Sequence, residues 1–396
     1  MKKMILITFT LILFLSPNMF AQNEEADQAY INAITTQDLA QKVKLLKEYA
    51  AKWDGKGTQY ENFVYSTLCL TPYQGKTPQE TADYGEKALA AGGLDDITKL
   101  QVYLNVSAMY TQLGKNLDKA KNYASQIVKI ATATKNKQGA EISPAQCDQL
   151  IGAGYFAQAQ AQEKAKDYNG AVNSYVSAYN ILKDKQIITS LKKNGKALYD
   201  AKNYSGAEKA FKIAAAVSND FASIAFYAKS LHRGGKKAEA LKAYKQAYGK
   251  DKSGEIAYNI GIILAADAKT NPVLGSEALT YLLDASFLSP ANSKKAMALA
   301  ESLYFTTNKD LKYNENVKEI SDRTKRIEIL TNTFNTKFAE KDEEDLSDDE
   351  IKEMTTILES IEKEQKAVQS LEAKQQASLA KFTELLEQTK KRLGVQ

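Results

Sequence analysis

Lys166-Asp167-Tyr168-Asn169-Gly170-Ala171 returns 36 residues later as Lys202-Asn203-Tyr204-Ser205-Gly206-Ala207. After each closing alanine stands an aromatic at +4 and another alanine at +7: Tyr175 and Ala178, then Phe211 and Ala214. The pattern continues at Ala240, Tyr244 and Ala247, and at Ala278, Leu282 and Ala285. A small residue, Ala159, Gly195 or Ala228, precedes each of the first three alanines by twelve positions. Gly261 precedes Ala278 by seventeen, so five residues are inserted near Asn271-Pro272. A period of this length marks a supersecondary unit that buries its apolar face only by stacking on its neighbours. Asn169-Gly170 and Asn194-Gly195 could turn β-hairpins, but the flanking apolar residues recur at three and four positions, which is helical spacing.

This pattern resembles the tetratricopeptide repeat, in which a small residue of a first helix faces an alanine of a second. Such a match lets two helices approach to about 8 Å. Tyr168 and Tyr204 match the large residue of the turn, and Pro290 the proline that ends a repeat. The tryptophan and leucine of the family's first helix are missing. Upstream, Ala108, Leu117, Ala120, Ala124 and Ile127 form a fair copy, and Leu70, Ala82 and Leu89 a weaker one. Thr77-Pro78-Gln79-Glu80 and Ser143-Pro144-Ala145-Gln146 carry helix start signals, a capping residue followed by proline. Residues 24–53 supply a first helix pair, with Leu39, Val43, Leu46 and Ala50 at helical spacing. The expectation is an all-α solenoid of about six or seven helix pairs over residues 22–292, clearest over 152–290. Long helices over 293–396 would follow it.

Those last residues differ in kind. Val317, Ile320, Ile327 and Phe334 follow a 3-then-4 spacing with Thr324 and Thr331 as weak members, and an acidic run interrupts at 341–350. That run lacks the glycine and alternating ligands of a calcium loop, so it reads as a solvated break. Ser347-Asp348-Asp349-Glu350 is a capping box opening a final helix, roughly 70 Å long at 1.5 Å per residue, that ends at Gly394. Glu364, Gln375 and Ser378 fall where its seam wants apolar residues. The helix either folds back as a hairpin or pairs, coiled-coil fashion, with a second copy or a partner through 347–394.

At the other end, Met1-Lys2-Lys3-Met4 precedes an eleven-residue apolar run, Ile5 to Leu15, then a Ser16-Pro17 break and Met19-Phe20-Ala21. This is the layout of a secretory signal peptide over 1–21, cleaved after Ala21, and the run is too short to span a bilayer. It points to export, most readily to a bacterial periplasm, with any outer-membrane association made through partners. Leader, repeats and long terminal helices together resemble exported repeat proteins of Bacteroidetes-type bacteria.

The net charge of +5 is uneven, since residues 341–396 hold nine basic and fourteen acidic side chains. A mildly basic body without a concentrated stripe does not suit nucleic acid. One histidine and two widely spaced cysteines leave no metal framework, and no nucleotide-binding loop is present, so no metal and no cofactor are expected. His232 has no evident nucleophile or orienting acid beside it, and the chain is not expected to be an enzyme. An enzymatic alternative would place its site in the inserted segments 131–150 or 267–276. Cys69 and Cys147 fall in first helices two layers apart, too far for a disulfide.

The resemblance implies that the first helices line a concave groove. It puts Phe156, Gln160 and Glu163, then Lys192, Lys196 and Tyr199, then Ala225, Lys229 and His232, then Tyr258, Ile262 and Ala265 toward it. Lys192, Lys196, Tyr199, Lys229, Arg233 and Tyr258 make the candidate partner-binding set, suited to an acidic peptide or protein segment. The family's carboxylate clamp is not present: Lys196, Phe226, Glu255 and Asn259 stand where its asparagines, lysine and arginine would be. The expected role is a non-catalytic scaffold, with an oligomerising spacer as the alternative.

Overall fold

The computed structural model describes residues 17–137, 141–268, 271–342 and 346–395. The leader expected over 1–21 lies, for residues 1–16, outside the described residues, as do 343–345 of the acidic break. Among the described residues every regular element is helical. The chain divides into two compact units, Met1–Ser218 and Asn219–Gln396.

The first unit holds five helix pairs in chain order. They are α1 (Pro17–Thr35) with α2 (Leu39–Trp53), α3 (Glu61–Leu70) with α4 (Pro78–Ala91), α5 (Asp96–Leu113) with α6 (Leu117–Lys135), α7 (Pro144–Lys164) with α8 (Tyr168–Leu182), and α9 (Gln186–Asp200) with α10 (Tyr204–Ser218). Each helix packs on the next, and first helices also touch first helices, α3 with α5 and α5 with α7. That neighbour-only pattern is a solenoid. The second unit holds two more pairs, α11 (Phe221–Arg233) with α12 (Lys237–Lys250) and α13 (Gly254–Asp267) with α14 (Pro272–Leu288). After these come α15 (Ser293–Thr307), a 3-10 turn (Lys309–Leu311), α16 (Tyr313–Phe338) and α17 (Asp348–Leu393). Seven helix pairs and long terminal helices, all α, are thus what the described residues form.

The stretch that repeats is the turn between helices. Lys166 and Lys202 both sit at φ +62°. Lys166 N–H donates to Glu163 O (2.9 Å) and Asp167 N–H to Gln162 O (2.8 Å). Lys202 and Asn203 make the same bonds to Tyr199 and Leu198. This left-handed closure satisfies the last carbonyls of the first helix. The next helix is then capped by Asp167 Oδ1 on Gly170 N–H (2.9 Å) and by Asn203 Oδ1 on Gly206 N–H (3.0 Å). A side chain at this position would crowd the cap, because a Cβ on Gly170 would lie 2.2 Å from Asp167 Oδ2. Gly114 (φ +67°) and Gly235 (φ +84°) close α5 and α11 in the same way.

Packing between the helices depends on the small residues. A Cβ on Gly195 would stand 2.8 Å from Ala210 Cβ and 3.1 Å from the Phe211 ring, and one on Gly261 2.7 Å from Leu282. The glycine admits the large side chain four positions after the repeat alanine. Ala159, Ala171, Ala178, Ala207, Ala214, Ala228, Ala240, Ala247, Ala278 and Ala285 are all fully buried, as are the rings of Tyr175, Phe211 and Tyr244. Two details differ from the sequence-based expectation. Ala108 is exposed, and Ser107 takes the buried position, donating to Ala120 O across the pair (2.9 Å). Leu39, the first residue of α2, is 49% exposed, because at the helix N-terminus no neighbouring turn covers it.

Polar links run between second helices about one period apart. Lys47 pairs with Glu80 (2.6 Å), Lys87 with Asp54 (2.7 Å) and Lys119 with Glu86 (2.8 Å), each 33 positions away. In the second unit Tyr248 donates to Asp284, 36 positions on (2.6 Å).

The helices α16 and α17 fold back on each other. Lys341 reaches Glu350 near the loop (2.6 Å), Lys337 reaches Glu353 (2.5 Å), and Arg323 reaches Glu364 (2.9 Å) farther away, so the pair is antiparallel. The inward face of α17 runs Ile357, Ile361, Glu364, Val368, Leu371, Gln375, Ser378, Phe382, Leu385 and Thr389, a strict heptad. On α16 it runs Tyr313, Asn316, Ile320, Arg323, Ile327, Leu330 and Phe334. Val317, Thr324 and Thr331, expected from sequence as seam members, are exposed. Asn316, Arg323 and Leu330 take their places, and polar members of the seam are paired: Glu364 accepts from Arg323 and Arg326, and Gln375 donates to Tyr313 Oη (3.4 Å). Phe382 packs among Tyr304, Phe305 and Leu282, seating the hairpin on α14 and α15.

Candidate partner-binding site

The first unit has a polar cleft of about 410 Å³ that crosses three successive first helices. Its walls are Thr111 of α5, Gln160, Glu163 and Lys164 of α7, and Ser190 and Lys193 of α9, with Lys166, Tyr168 and Tyr175 from the turn and α8. Glu163 is the centre. Its Oε2 accepts from Tyr175 Oη and Asn194 Nδ2 (both 2.8 Å), and its Oε1 from Lys193 Nζ (2.7 Å). Burial alone would raise this carboxyl, but the bonds from Lys193, Asn194 and Tyr175 outweigh it and hold the group below the usual carboxylate range. Burial, and then the Glu163 charge, push the Tyr175 phenol upward. The Asn194 amide is 1% exposed, and its Oδ1 accepts no hydrogen bond.

Lys164 and Lys166 are exposed at the rim. With Lys193 they outnumber the single carboxylate among the lining residues, so the cleft is net positive. It can hold an acidic or backbone-carbonyl-rich segment, with hydroxyls and an amide oxygen to take up donors.

The six residues singled out by sequence divide evenly between the two units. Within the first, Lys192 is half-buried on α9, Lys196 pairs with Asp200 (2.6 Å), and Tyr199 meets Tyr204 edge-on (5.5 Å between centroids). Within the second, Lys229 pairs with Glu255 (2.8 Å) and lies over the Phe226 ring, and Arg233 is exposed in the last turn of α11. Tyr258 packs at the edge of the Leu282–Phe305 cluster. Neighbouring carboxylates thus already satisfy two of these cations. Of the other groove positions, Gln160 and Glu163 line the cleft, whereas Ala225 is buried. The sequence signal for the Glu163 centre was present, since Tyr175 stands twelve positions later across one turn and Lys193 thirty later in the next first helix.

His232 meets the Tyr244 ring edge-on, with Nδ1 3.4 Å from its hydroxyl. Burial, then Arg233 and Lys237, lower its pKa and favour the neutral ring. A second cleft of about 460 Å³ lies beside the 131–150 insertion, walled by Ile97, Leu100, Ile142 and Leu150 with amides of Gln101, Gln146 and Gln149. No nucleophile–base pair stands among its lining residues. Among the described residues no cluster suited to a metal ion occurs, and no helix is long and apolar enough to cross a membrane.

No protein-family model matches the chain, and no curated protein does. Among solved structures, the chain is similar to a tetratricopeptide repeat protein from Parabacteroides merdae, at 16% identity and a TM-score of 0.31. The match covers 71% of this chain and 99% of that one.

Proposed function

We propose that this chain is a non-catalytic scaffold of the tetratricopeptide type, exported to the bacterial envelope, that holds an extended, acidic segment of a partner protein in the Glu163–Lys193 cleft. The observation that carries the reading is the cleft itself: three consecutive first helices contribute to one net-positive channel, with Lys164, Lys166 and Lys193 around the single carboxylate of Glu163. The helix-pair stack supports it, because such stacks present rows of side chains from successive repeats to an extended ligand. Lys192, Lys196 and Tyr199 belong to the proposal as neighbours on α9. Lys229, Arg233 and Tyr258 form a separate set in the second unit. The leader sequence supports export.

The test is crosslinking in the native cell envelope followed by pull-down. Wild type is compared with Lys164→Glu/Lys193→Glu and with a control, Lys121→Glu, on α6. Loss of a specific partner in the double variant alone is expected. An unchanged partner list would discard the cleft as the binding site.

A further inference from the structure

The three donors that hold Glu163 differ in exposure. Tyr175 Oη and Asn194 Nδ2 (both 2.8 Å) come from buried side chains. Lys193 Nζ (2.7 Å) comes from a side chain that is 74% exposed, against 17% for Glu163 itself. Two bonds therefore fix the carboxylate from the protein side, and the third is a solvent-facing ion pair, which contributes little to stability. Lys164 and Lys166, the other cations of the cleft, are exposed at its rim. Asp167 beside them is turned to the start of α8, where its Oδ1 accepts from Gly170 N–H. Glu163 is the one carboxylate among the lining residues, and it sits on the cation nearest the centre.

On the reading that this cleft holds the partner, we infer that Glu163 is a resident competitor for the partner's acids: an incoming carboxylate takes Lys193 from it, and the Glu163 charge sets which segments the cleft accepts. The Lys193 side chain is long and exposed, so its ammonium can turn to the ligand. Tyr175 and Asn194 meanwhile keep Glu163 in place between α7, α8 and α9. Exchanging one exposed pair for another gains little, and the stranded Glu163 charge repels the newcomer. The hold on the partner therefore comes from Lys164 and Lys166. A lone acid gains one exposed pair and binds poorly. A segment with several adjacent acids engages the rim lysines and displaces Lys193 together, and that is the partner chemistry the cleft selects.

Fluorescence anisotropy of fluorescein-labelled hexaglutamate, titrated with the purified full chain at low salt, tests the inference. Wild type binds the peptide, and Lys164→Glu/Lys193→Glu loses it. Glu163→Gln is expected to bind at least about fivefold tighter than wild type, with the gain shrinking at about 0.5 M salt. Tyr175→Phe removes a bond to the same carboxylate but leaves its charge, and binds like wild type. A merely structural Glu163 would instead make both variants bind more weakly. Should Glu163→Gln lose helix by circular dichroism, the wild-type chain supplies the readout. A zero-length carbodiimide then couples Lys193 to Glu163 in the free chain, and saturating hexaglutamate diverts Lys193 to the peptide. Equal or weaker binding by a folded Glu163→Gln overturns the competitor role, as does a Lys193–Glu163 crosslink undiminished with peptide bound. In either case the cleft reading survives as long as Lys164→Glu/Lys193→Glu loses the peptide. Peptide held equally by that double variant overturns both.

Discussion

Arg392 Nη1 lies 3.3 Å from Asp284 Oδ2 and its Nη2 bonds Oδ1, joining the end of α17 to the C-terminal part of α14 across 108 positions of sequence. Asp284 is 1% exposed, and Tyr248 of α12 donates to the same carboxylate from the other side (2.6 Å). A buried charge is tolerable only when paired and hydrogen-bonded. The Arg392 guanidinium also raises the cost of detaching the hairpin from the repeats that carry it.

Removing that guanidinium strands the carboxylate. Arg392 is 43% exposed at its side chain, which reduces the effect below that of a fully buried pair. Arg392→Ala is expected to destabilise the second unit by about 2 kcal/mol, and Tyr248→Phe by about 1 kcal/mol. Arg392→Ala combined with Asp284→Asn should cost less than the two single changes together, since neither then leaves a lone charge. Urea unfolding of the single and double variants beside wild type checks this, and additive losses would refute the coupling.

The helix crossings make a sharper prediction about glycine. Gly195→Val puts methyl groups into space held by Ala210 and Phe211, and about 3 kcal/mol of destabilisation is expected. Gly249, in the last turn of α12, has nothing within 4 Å of a built Cβ, so Gly249→Ala should stabilise by about 0.5 kcal/mol. Opposite signs in thermal melts are the expected result.

What the sequence reveals follows from which interactions repeat. The small-residue and aromatic spacing from Ala159 to Ala285 is set by close helix crossings, which tolerate few residue types, so it is visible without coordinates. The hairpin seam reads one position off on α16 because Asn316 and Arg323 occupy it. An apolar count passes over them and selects Val317, Thr324 and Thr331 instead. Arg323 suits the seam because of Glu364 on the opposite helix, which the α16 sequence does not contain. The Glu163–Lys193 cleft is half-legible for the same reason. Gln160 and Glu163 stand at groove positions, but the lysines chosen beside them, Lys196 and Lys229, are matched by Asp200 and Glu255. The Lys196–Asp200 pair, four positions apart on one helix, is readable from spacing alone, whereas the Lys229–Glu255 pair, between successive first helices, takes the folded geometry to see.

Acid should weaken the first unit through Glu163. Its folded pKa is depressed below the ordinary value of 4.5, so its contribution to stability is fully present above that value. As the pH falls, the contribution is lost until the folded group itself takes up a proton. The stability difference between wild type and Glu163→Gln is therefore expected to be constant at about pH 6–7 and to shrink between about pH 5 and 3. Denaturant titrations at these pH values measure it. A difference that grows on acidification would mean that burial, not hydrogen bonding, dominates at this carboxylate.

The two cysteines complete the set. Cys69 of α3 and Cys147 of α7 are free, buried, and members of separate apolar clusters, and α5 packs against both of their helices. Burial pushes the Cys69 thiol up to about 11, with Lys76 opposing only in part. At about pH 8 roughly one thiol in a thousand is then ionised, and attack requires the thiolate. Native protein is expected to resist a thiol-reactive dye for hours and to take up two equivalents at once in denaturant. Mild oxidation should leave its mobility on a non-reducing gel unchanged, because bridging needs Cα atoms within about 7 Å and an intervening helix prevents that approach. A faster-migrating oxidised band would show that α3 and α7 come together in solution, which the stacking order of α3, α5 and α7 forbids.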